Sequence, residues 1–327
     1  MEPTTTKPVA ITFQHVQKAF GDQVVIPDLN LTVEQGELFV LVGTSGSGKT
    51  TTLKMINRLD PLTKGTILVN GQDSSQMPVR DLRWQMGYVL QQIALFPTMT
   101  VAQNIAVIPE MKGTAKKVIN QTIDELLTEV GLAPADYRNR LPRELSGGEQ
   151  QRIGILRAIA ANPEIVLMDE PFSALDPLSR QQLQDLVLRL HARYHNTIVF
   201  VTHDMNEALK LGNRIGVMRQ GQLVQVGTPT ELAQHPANAF VRDFFGASRA
   251  KNVYDIYVGR VGLSQGYLPK PAVAAGRIQT LAAQATLRTA FKAFRTHDYL
   301  AITEDQQVRG YLDRQRVVAY LSEHEAD

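Results

Sequence analysis

The sequence GTSGSGKTT, from Gly43 to Thr51, constrains the fold of this chain more than any other stretch. It follows an apolar run typical of a buried strand and precedes a helical pattern of apolar residues. Glycines in such a turn let successive N–H groups converge on a phosphate, which the positive end of the next helix also faces. Lys49 would then reach the β- and γ-phosphates of ATP, and the Thr50 hydroxyl would bind the Mg²⁺ that neutralises the triphosphate. The predicted phosphate-binding residues are Gly43, Thr44, Ser45, Gly46, Ser47, Gly48, Lys49, Thr50 and Thr51.

Length and composition limit the class of protein. A chain of 327 residues predicts one large and one small domain. The 34 basic residues exceed the 32 acidic ones by only two, so we expect no nucleic-acid partner. The absence of cysteine excludes disulfides and thiolate metal sites. No apolar run approaches the ~20 residues of a membrane span, and the N-terminus lacks a signal pattern, so we expect a soluble chain that can still dock onto a membrane protein.

Residues 9–26 predict an antiparallel strand pair with a turn at Gly21 and Asp22. Phe20 comes directly before this turn. An aromatic side chain at that place can stack on an adenine ring, or it can cap a small core. The residues alone favour neither interpretation.

Two carboxylates follow the apolar run Ile165–Met168, which is typical of a buried parallel strand. Ligands of open α/β sheets lie at the carboxyl ends of the strands. Asp169 can hold Mg²⁺ through water, and Glu170 can accept a proton from an attacking water molecule. The alternative, two acidic residues that simply end a strand, becomes the weaker interpretation beside a phosphate-binding loop.

Gln91 and His203 also follow predicted strands. A glutamine after a strand can coordinate Mg²⁺ or orient a water molecule, although by itself it is usually only a polar strand end. His203 ends the apolar strand 197–202 on the expected ligand side. We expect Asp204 to pair with Glu207 as a helix cap, which would leave the imidazole free to contact a γ-phosphate.

A helical pattern between residues 100 and 161 contains the sequence LSGGEQQR. Ser146 and Glu149 have the spacing of a capping box, so this stretch can simply start a helix. A cap does not require Gly147 and Gly148, however. Paired glycines allow close approach to the backbone, and a helix start carries roughly +0.5 of an elementary charge, which suits a second phosphate contact. We therefore favour a functional role for all four residues.

The chain resembles the nucleotide-binding subunit of an ATP-binding-cassette (ABC) transporter. The resemblance is carried, in chain order, by GTSGSGKTT, Gln91, LSGGEQQR, IVLMDEP, SALD and His203. The resemblance covers roughly residues 9–245. It implies an α/β fold, a P-loop ABC-type ATPase core with an antiparallel β subdomain and a helical insertion. It also implies that two copies pair head to tail, with each ATP between the phosphate-binding loop of one subunit and the residues Ser146 to Glu149 of the other.

The same resemblance assigns further roles. Phe20 would stack on adenine, Gln91 would sense the membrane subunit, Asp176 would communicate across the dimer, and His203 would hold the γ-phosphate. The implied catalytic residues are Glu170, His203 and Gln91, and the implied Mg²⁺ site consists of Thr50, Gln91 and, through water, Asp169.

Import is indicated by the absence of a membrane segment and by the sequence LFPTMTVAQNI after Gln91. The cassette is most similar to those of quaternary-amine importers for glycine betaine, choline or carnitine. This implies integral membrane permease subunits as partners, indirectly a solute-binding protein, and a peripheral location on the cytoplasmic face of the cell membrane. The alternatives are an importer ATPase for an amino acid or a polyamine, and a soluble cassette acting on ribosomes or DNA. A nucleotide sensor without turnover is disfavoured by Glu170.

Beyond residue 246 the composition changes. Residues 247–276 are poor in pattern and predict a linker, so 1–246 form the nucleotide-binding domain. Residues 277–327 predict the order strand, helix, strand, strand, helix. This small α+β module resembles a single cystathionine-β-synthase-type (CBS) repeat, which quaternary-amine importers often carry in tandem. With one copy, we expect either a regulatory module or a dimerisation tail, and pairing between subunits would reconcile the two.

Overall fold

The computed structural model describes residues 8–250, 256–304 and 307–324. The chain divides after Arg242 into two compact units. The strands of the first unit are β1 (Val9–Phe20), β2 (Gln23–Glu34), β3 (Leu38–Gly43), β4 (Lys64–Val69), β5 (Gln72–Asp73), β6 (Met86–Val89), β7 (Ile165–Asp169), β8 (Thr197–Thr202), β9 (Arg214–Arg219) and β10 (Gln222–Gly227). Its helices are α1 (Lys49–Ile56), α2 (Val79–Trp84), α3 (Val101–Met111), α4 (Lys116–Glu129), α5 (Pro134–Tyr137), α6 (Gly147–Ile159), α7 (Pro177–Tyr194), α8 (Met205–Leu211) and α9 (Pro229–Gln234), and α10 (Ala239–Ala250) runs across the division.

A six-stranded sheet in the order β10-β9-β3-β8-β7-β6 positions the site. All of its pairings are parallel except that of β9 with β10. Every residue of β3, β7 and β8 is buried, which explains their continuous apolar sequences. The carboxyl ends of these three strands therefore lie side by side, and the segments that follow them meet at one edge of the sheet.

A second sheet, in the order β2-β1-β4-β5, is antiparallel and confirms the predicted strand pair. β2 continues to Glu34 and tolerates Pro27 because it lies at the edge of the sheet, where a missing N–H breaks no central ladder. Apolar side chains of both sheets share one core, in which Ile11 and Phe13 belong to the same cluster as Phe39 and Leu41.

The predicted helical stretch between residues 100 and 161 forms α3 to α6. Thr100 caps α3 in a capping box with Gln103. The apolar residues of α4 recur at helical spacing, and Ile119, Ile123 and Leu126 are buried as that spacing predicts. Among the described residues, no helix is both long enough and apolar enough to cross a membrane.

The second unit contains α11 (Val258–Gln265), β11 (Ile278–Ala282), α12 (Leu287–Ala293), β12 (Tyr299–Glu304), β13 (Gln307–Asp313) and α13 (Arg314–His324). β12 is the central strand, parallel to β11 and antiparallel to β13. From β11 onward the order is strand, helix, strand, strand, helix, as the sequence predicts. Part of the segment 247–276, for which the sequence predicts a linker, is α11, whose Val258 and Val261 are buried in the core of this unit. The exact domain limits stay a prediction.

Candidate active site

The loop between β3 and α1 has the conformation that a phosphate-binding turn needs. Gly48 adopts a φ of 98° at the start of α1, which no side chain caps, so the first N–H groups of this helix face outward without a side-chain partner. A Cβ at Gly43 would lie 2.2 Å from the Met218 carbonyl oxygen, so only glycine fits there. The Ser47 hydroxyl is buried and has no hydrogen-bond partner among the described residues. An oxygen of a bound phosphate would satisfy these donors.

Lys49 is buried at the base of this loop, with 4% of its surface exposed. Its ammonium group donates to the carbonyl oxygens of Gly43 at 2.9 Å and Thr44 at 3.0 Å, so one of its three N–H donors has no partner among these contacts. Burial lowers the pKa of Lys49, whereas the carboxylates of Glu170 and Asp169 raise it. A buried cation of this kind favours an anion beside it.

Asp169 lies at the end of β7 and accepts a hydrogen bond from the Thr50 hydroxyl at 2.8 Å. Burial raises the pKa of Asp169, and the bond from Thr50 lowers it. The Tyr88 hydroxyl lies 3.5 Å from the other carboxylate oxygen, and burial raises the pKa of Tyr88. No local sequence pattern marks Tyr88, because its position beside Asp169 depends on the pairing of β6 with β7.

Glu170 and His203 are in direct contact. Nδ1 of His203 lies 2.8 Å from Oε2 of Glu170. Glu170 has a φ of 42°, a strained value for a residue with a side chain, and its N–H donates to the Val201 carbonyl oxygen at 3.0 Å. Glu170 therefore holds the imidazole of His203 through Nδ1, and the expected contact of His203 with a γ-phosphate stays a prediction.

The expected helix cap at Asp204 is confirmed, but its expected pairing with Glu207 was wrong. Asp204 caps α8 by accepting from the N–H of Asn206 at 2.7 Å. Glu207 instead accepts from the Thr202 hydroxyl at 2.6 Å. Because a short aspartate reaches the second helical N–H by itself, the glutamate is left to turn back toward the end of β8.

One cleft of about 650 Å³ brings several of the predicted groups together. It contains most of the predicted loop, Gln91 and the Glu170–His203 pair. Val25 on β2 forms an apolar part of the wall that the sequence analysis did not select. The lining residues are Val25, Ser45, Gly46, Ser47, Gly48, Lys49, Thr50, Thr51, Gln91, Glu170 and His203.

The predicted residues Gly43, Thr44 and Asp169 are not part of this lining, and three further predicted groups also lie outside it. Phe20 has 49% of its surface exposed, so it caps no core, and the Lys18 ammonium lies 4.2 Å from the centre of its ring. Asp176 caps α7 by accepting from the N–H groups of Leu178 and Ser179. The Ser179 hydrogen bonds hold the pKa of Asp176 below its usual value.

The third group is the start of α6. Ser146 and Glu149 form the capping box in full, with Ser146 N–H to Glu149 Oε2 at 2.8 Å and Glu149 N–H to Ser146 Oγ at 3.3 Å. The Tyr137 hydroxyl donates to the other Glu149 oxygen at 2.6 Å and is the largest cause that lowers the pKa of Glu149. Gly147 leaves open space, since a Cβ there would meet no heavy atom within 4 Å. Ser146 and Glu149 therefore do cap α6, and this cap leaves the start of the helix accessible.

The arrangement of hard oxygens around Thr50 and Asp169 fits Mg²⁺. Among the described residues there is no group of three or more His, Cys, Asp or Glu side chains that could hold a metal alone. A metal at this site would thus need further ligands, and Mg²⁺ typically combines one or two protein oxygens with water and phosphate oxygens.

Comparisons with known proteins identify the family of this chain. The model of the ABC transporter family matches residues 26–173. The glycine betaine uptake system ATP-binding protein YehX of Escherichia coli is 50% identical over 238 residues, which cover 73% of this chain and 77% of that protein. The osmoprotectant import ATP-binding protein OsmV of Salmonella typhimurium is 43% identical over 308 residues, 93% of this chain and 78% of that protein.

A solved structure supports the fold. The dimeric structure of MJ0796, a bacterial ABC transporter cassette, aligns with a TM-score of 0.60 at 30% identity and covers 67% of this chain and 98% of that chain. The site combines a loop suited to phosphate with a buried strand that ends in two carboxylates, and the relatives align over most of their own length. The chain therefore belongs to the ABC transporter family of ATP-binding proteins.

Proposed function

We propose that this chain is the ATP-hydrolysing subunit of an importer, and that it energises uptake of a quaternary-amine osmoprotectant such as glycine betaine, carnitine or choline. The proposed ATPase activity is supported above all by the cleft that is lined by Lys49, Thr50, Glu170 and His203. The solute class is supported by the names of the relatives, one a glycine betaine uptake protein and the other an osmoprotectant import protein.

Binding of ATP rests on the loop and on Lys49. Outward-facing N–H groups, the unpartnered Ser47 hydroxyl and the third N–H of Lys49 would hold the phosphates. Thr50, Asp169 and Gln91 are the proposed Mg²⁺ ligands, with Asp169 acting through water. The metal would supply charge neutralisation at the phosphates. Phe20, exposed before the β1–β2 turn, is the proposed stacking partner of adenine.

Hydrolysis is assigned to Glu170, with help from His203 and Gln91. Glu170 lies at the carboxyl end of β7, and its carboxylate borders the cleft, where it could accept a proton from an attacking water. His203 holds that carboxylate at 2.8 Å and reaches the same cleft, so it can orient Glu170 and contact a terminal phosphate.

A second copy of the chain would complete the site. Ser146, Gly147, Gly148 and Glu149 do not line the cleft of their own subunit, yet they present an open helix start that favours an anion. A head-to-tail dimer gives this helix start a phosphate to bind and places Asp176 near the interface. The structural neighbour named above is dimeric, which is compatible with such an arrangement.

An apolar groove beside Gln91 supports a membrane partner. It has a volume of about 540 Å³ and is lined mostly by apolar side chains, among them Leu90, Phe96 and Met111, which are exposed. Exposed apolar side chains grouped in a groove favour the binding of an apolar partner helix. We assign this groove to an integral membrane permease subunit, which would hold the chain at the cytoplasmic face of the membrane and connect it indirectly to a solute-binding protein.

The C-terminal residues are proposed to be a separate module. Residues 1–246 would be the nucleotide-binding domain, 247–276 a connecting segment, and 277–327 a single CBS-like module. The order of β11 to α13 supports the likeness. A regulatory role and a dimerisation role stay alternatives, and pairing of the modules of two subunits would serve both.

The test is uptake by proteoliposomes that contain this chain with its permease subunits and internal MgATP. We expect accumulation of labelled glycine betaine, carnitine or choline. Accumulation of only an amino acid or a polyamine would favour the alternative importer class. Pull-down of ribosomes without permease subunits would contradict a role in transport.

A further inference from the structure

The side chain of Arg180, at the end of the first turn of α7, reaches two different segments of the chain. Its Nη2 donates to the Leu175 carbonyl oxygen at 3.2 Å. Its Nη1 lies 3.8 Å from Asp204 Oδ2, and its Nε lies 3.9 Å from Glu207 Oε1. One guanidinium group therefore connects three points of the chain.

These points flank the catalytic pair. Leu175 belongs to the loop that runs from Glu170 to α7, and Asp204 is the residue after His203. Arg180 thus connects the segment that follows one member of the pair to the segment that follows the other.

The segment after His203 is itself firmly held. Thr202 Oγ1 donates to Glu207 Oε2 at 2.6 Å and accepts from the Asp204 N–H at 2.9 Å. The Glu207 side chain is only 6% exposed. A force on the carboxylates of Asp204 or Glu207 is therefore transmitted to the backbone on both sides of His203.

The contacts of Arg180 with the two carboxylates are too long for hydrogen bonds. Its Nε is buried and has no hydrogen-bond partner among the described residues. A buried N–H without a partner is unfavourable, and charge-assisted hydrogen bonds form at about 2.7–2.9 Å. The guanidinium group thus favours closer approach of α7 to the segment after His203.

A small cavity joins the two groups of residues. It has a volume of about 20 Å³, room for about one water molecule, and is bordered both by the catalytic pair and by the Arg180 cluster. Its lining residues are Glu170, Ser173, Arg180, Thr202, His203, Asp204 and Glu207. A displacement of Arg180 therefore changes the surroundings of Glu170 and His203 directly.

We propose that Arg180 is a positioning residue for ATP hydrolysis, which braces the loop after Glu170 against the segment after His203 and so maintains the contact within the pair. Arg180 does not line the nucleotide cleft, so it acts through these residues and not on ATP. The inference rests on the proposed function, in which Glu170 and His203 act on ATP.

The test is steady-state ATP hydrolysis by the purified full-length chain. We expect Arg180→Met to lower kcat about 10- to 100-fold, the range for a slightly misplaced catalytic group, while KM for ATP stays within about twofold. Arg180→Lys keeps the charge but not the planar fork, so its kcat should fall about two- to fivefold. If Arg180→Met does not fold, Arg180→Lys decides: a wild-type kcat overturns the proposal, and the intermediate kcat with unchanged KM supports it.

Lys210→Met is the matched control. The Lys210 ammonium lies 2.7 Å from Asp185 Oδ1, so this pair also joins α7 to α8, but neither residue borders the small cavity or the nucleotide cleft. We expect its kcat to stay within about twofold of wild type, because a partly exposed ion pair contributes little to stability. An equal loss in Lys210→Met would assign the effect to helix packing and overturn the proposal.

Glu170→Gln, measured in parallel, distinguishes a failure of the proposed function from a failure of the proposed role of Arg180. If this variant hydrolyses ATP normally, the proposed role of Glu170 fails and the inference fails with it. If it is inactive while Arg180→Met has wild-type kcat and KM, only the inference about Arg180 is overturned.

Discussion

Replacement of Gly147 by alanine tests whether the start of α6 meets a group from outside its own subunit. An added Cβ would meet no heavy atom within 4 Å, and the φ of Gly147 is not left-handed. Within one subunit the change costs nothing sterically, and alanine is favoured over glycine in a helix by up to about 1 kcal/mol. In the proposed dimer, however, the new methyl group would occupy the space through which a phosphate approaches the backbone.

The expected magnitude follows from the contact that would be lost. A hydrogen bond to a charged group contributes about 1.5–3 kcal/mol, which corresponds to roughly a 10- to 100-fold change. We therefore expect Gly147→Ala to lower the rate of ATP hydrolysis by this factor while the melting temperature stays equal or rises. The assay is steady-state hydrolysis by the full-length chain, with thermal unfolding measured on the same samples.

Gly154→Ala provides the matched control, because Gly154 lies two turns further along the same helix and a Cβ there would also meet no heavy atom within 4 Å. We expect it to leave hydrolysis unchanged. Full activity of Gly147→Ala would refute the idea that a phosphate approaches this helix start. So would an equal loss in Gly154→Ala, since the effect would then be a property of the helix itself.

Three further results are expected. Lys49→Ala should weaken nucleotide binding and lose turnover, because the one charge-assisted contact left for a phosphate corresponds to roughly 10- to 100-fold in affinity; normal affinity in a fluorescent-nucleotide titration would count against the loop. Glu170→Gln should retain ATP binding, lose roughly 10²- to 10⁴-fold in turnover, and accumulate as an ATP-bound dimer in size-exclusion chromatography; a monomer that hydrolyses ATP would contradict this. Tyr137→Phe should raise the pKa of Glu149 toward 4.5, because it removes the largest cause that lowers it. The ionised Glu149 carboxylate stabilises the cap of α6 above pH 4.5, and this stabilisation is lost as pH falls through the lower folded pKa. In the variant, whose Glu149 pKa is higher, the loss therefore begins at higher pH. An unchanged Glu149 pKa in a carboxyl NMR titration would show that the Tyr137 hydrogen bond does not lower this pKa.

The sequence predicted the parts of the site that are carried by short continuous stretches. Lys49 and Thr50 follow from one loop between a strand and a helix, and Asp169 and Glu170 follow from one buried strand. Parallel strands then bring these stretches to the same edge of the sheet, which is a general property of the fold class. For these residues, local chemistry and topology were sufficient.

Other residues depend on contacts between distant segments, which no local pattern reveals. Tyr88 lies beside Asp169 only because β6 pairs with β7, and Val25 reaches the cleft from the other sheet. Arg180 is an ordinary helical residue in sequence, and only the packing of α7 on α8 places it between the segments that follow Glu170 and His203. The cap at Asp204 was predicted correctly, but its pairing with Glu207 was not, because Glu207 accepts a hydrogen bond from Thr202 instead.

Simultaneous measurement of ATP hydrolysis and solute uptake tests the central claim most directly. Proteoliposomes would contain the permease subunits with either the wild-type chain or Glu170→Gln, and both phosphate release and labelled glycine betaine would be followed. We predict that the wild type accumulates solute in proportion to the ATP it hydrolyses, and that Glu170→Gln loses both activities together while it still binds ATP. Uptake that continues in Glu170→Gln, or hydrolysis that continues without Glu170, would contradict the proposal that this cleft energises import.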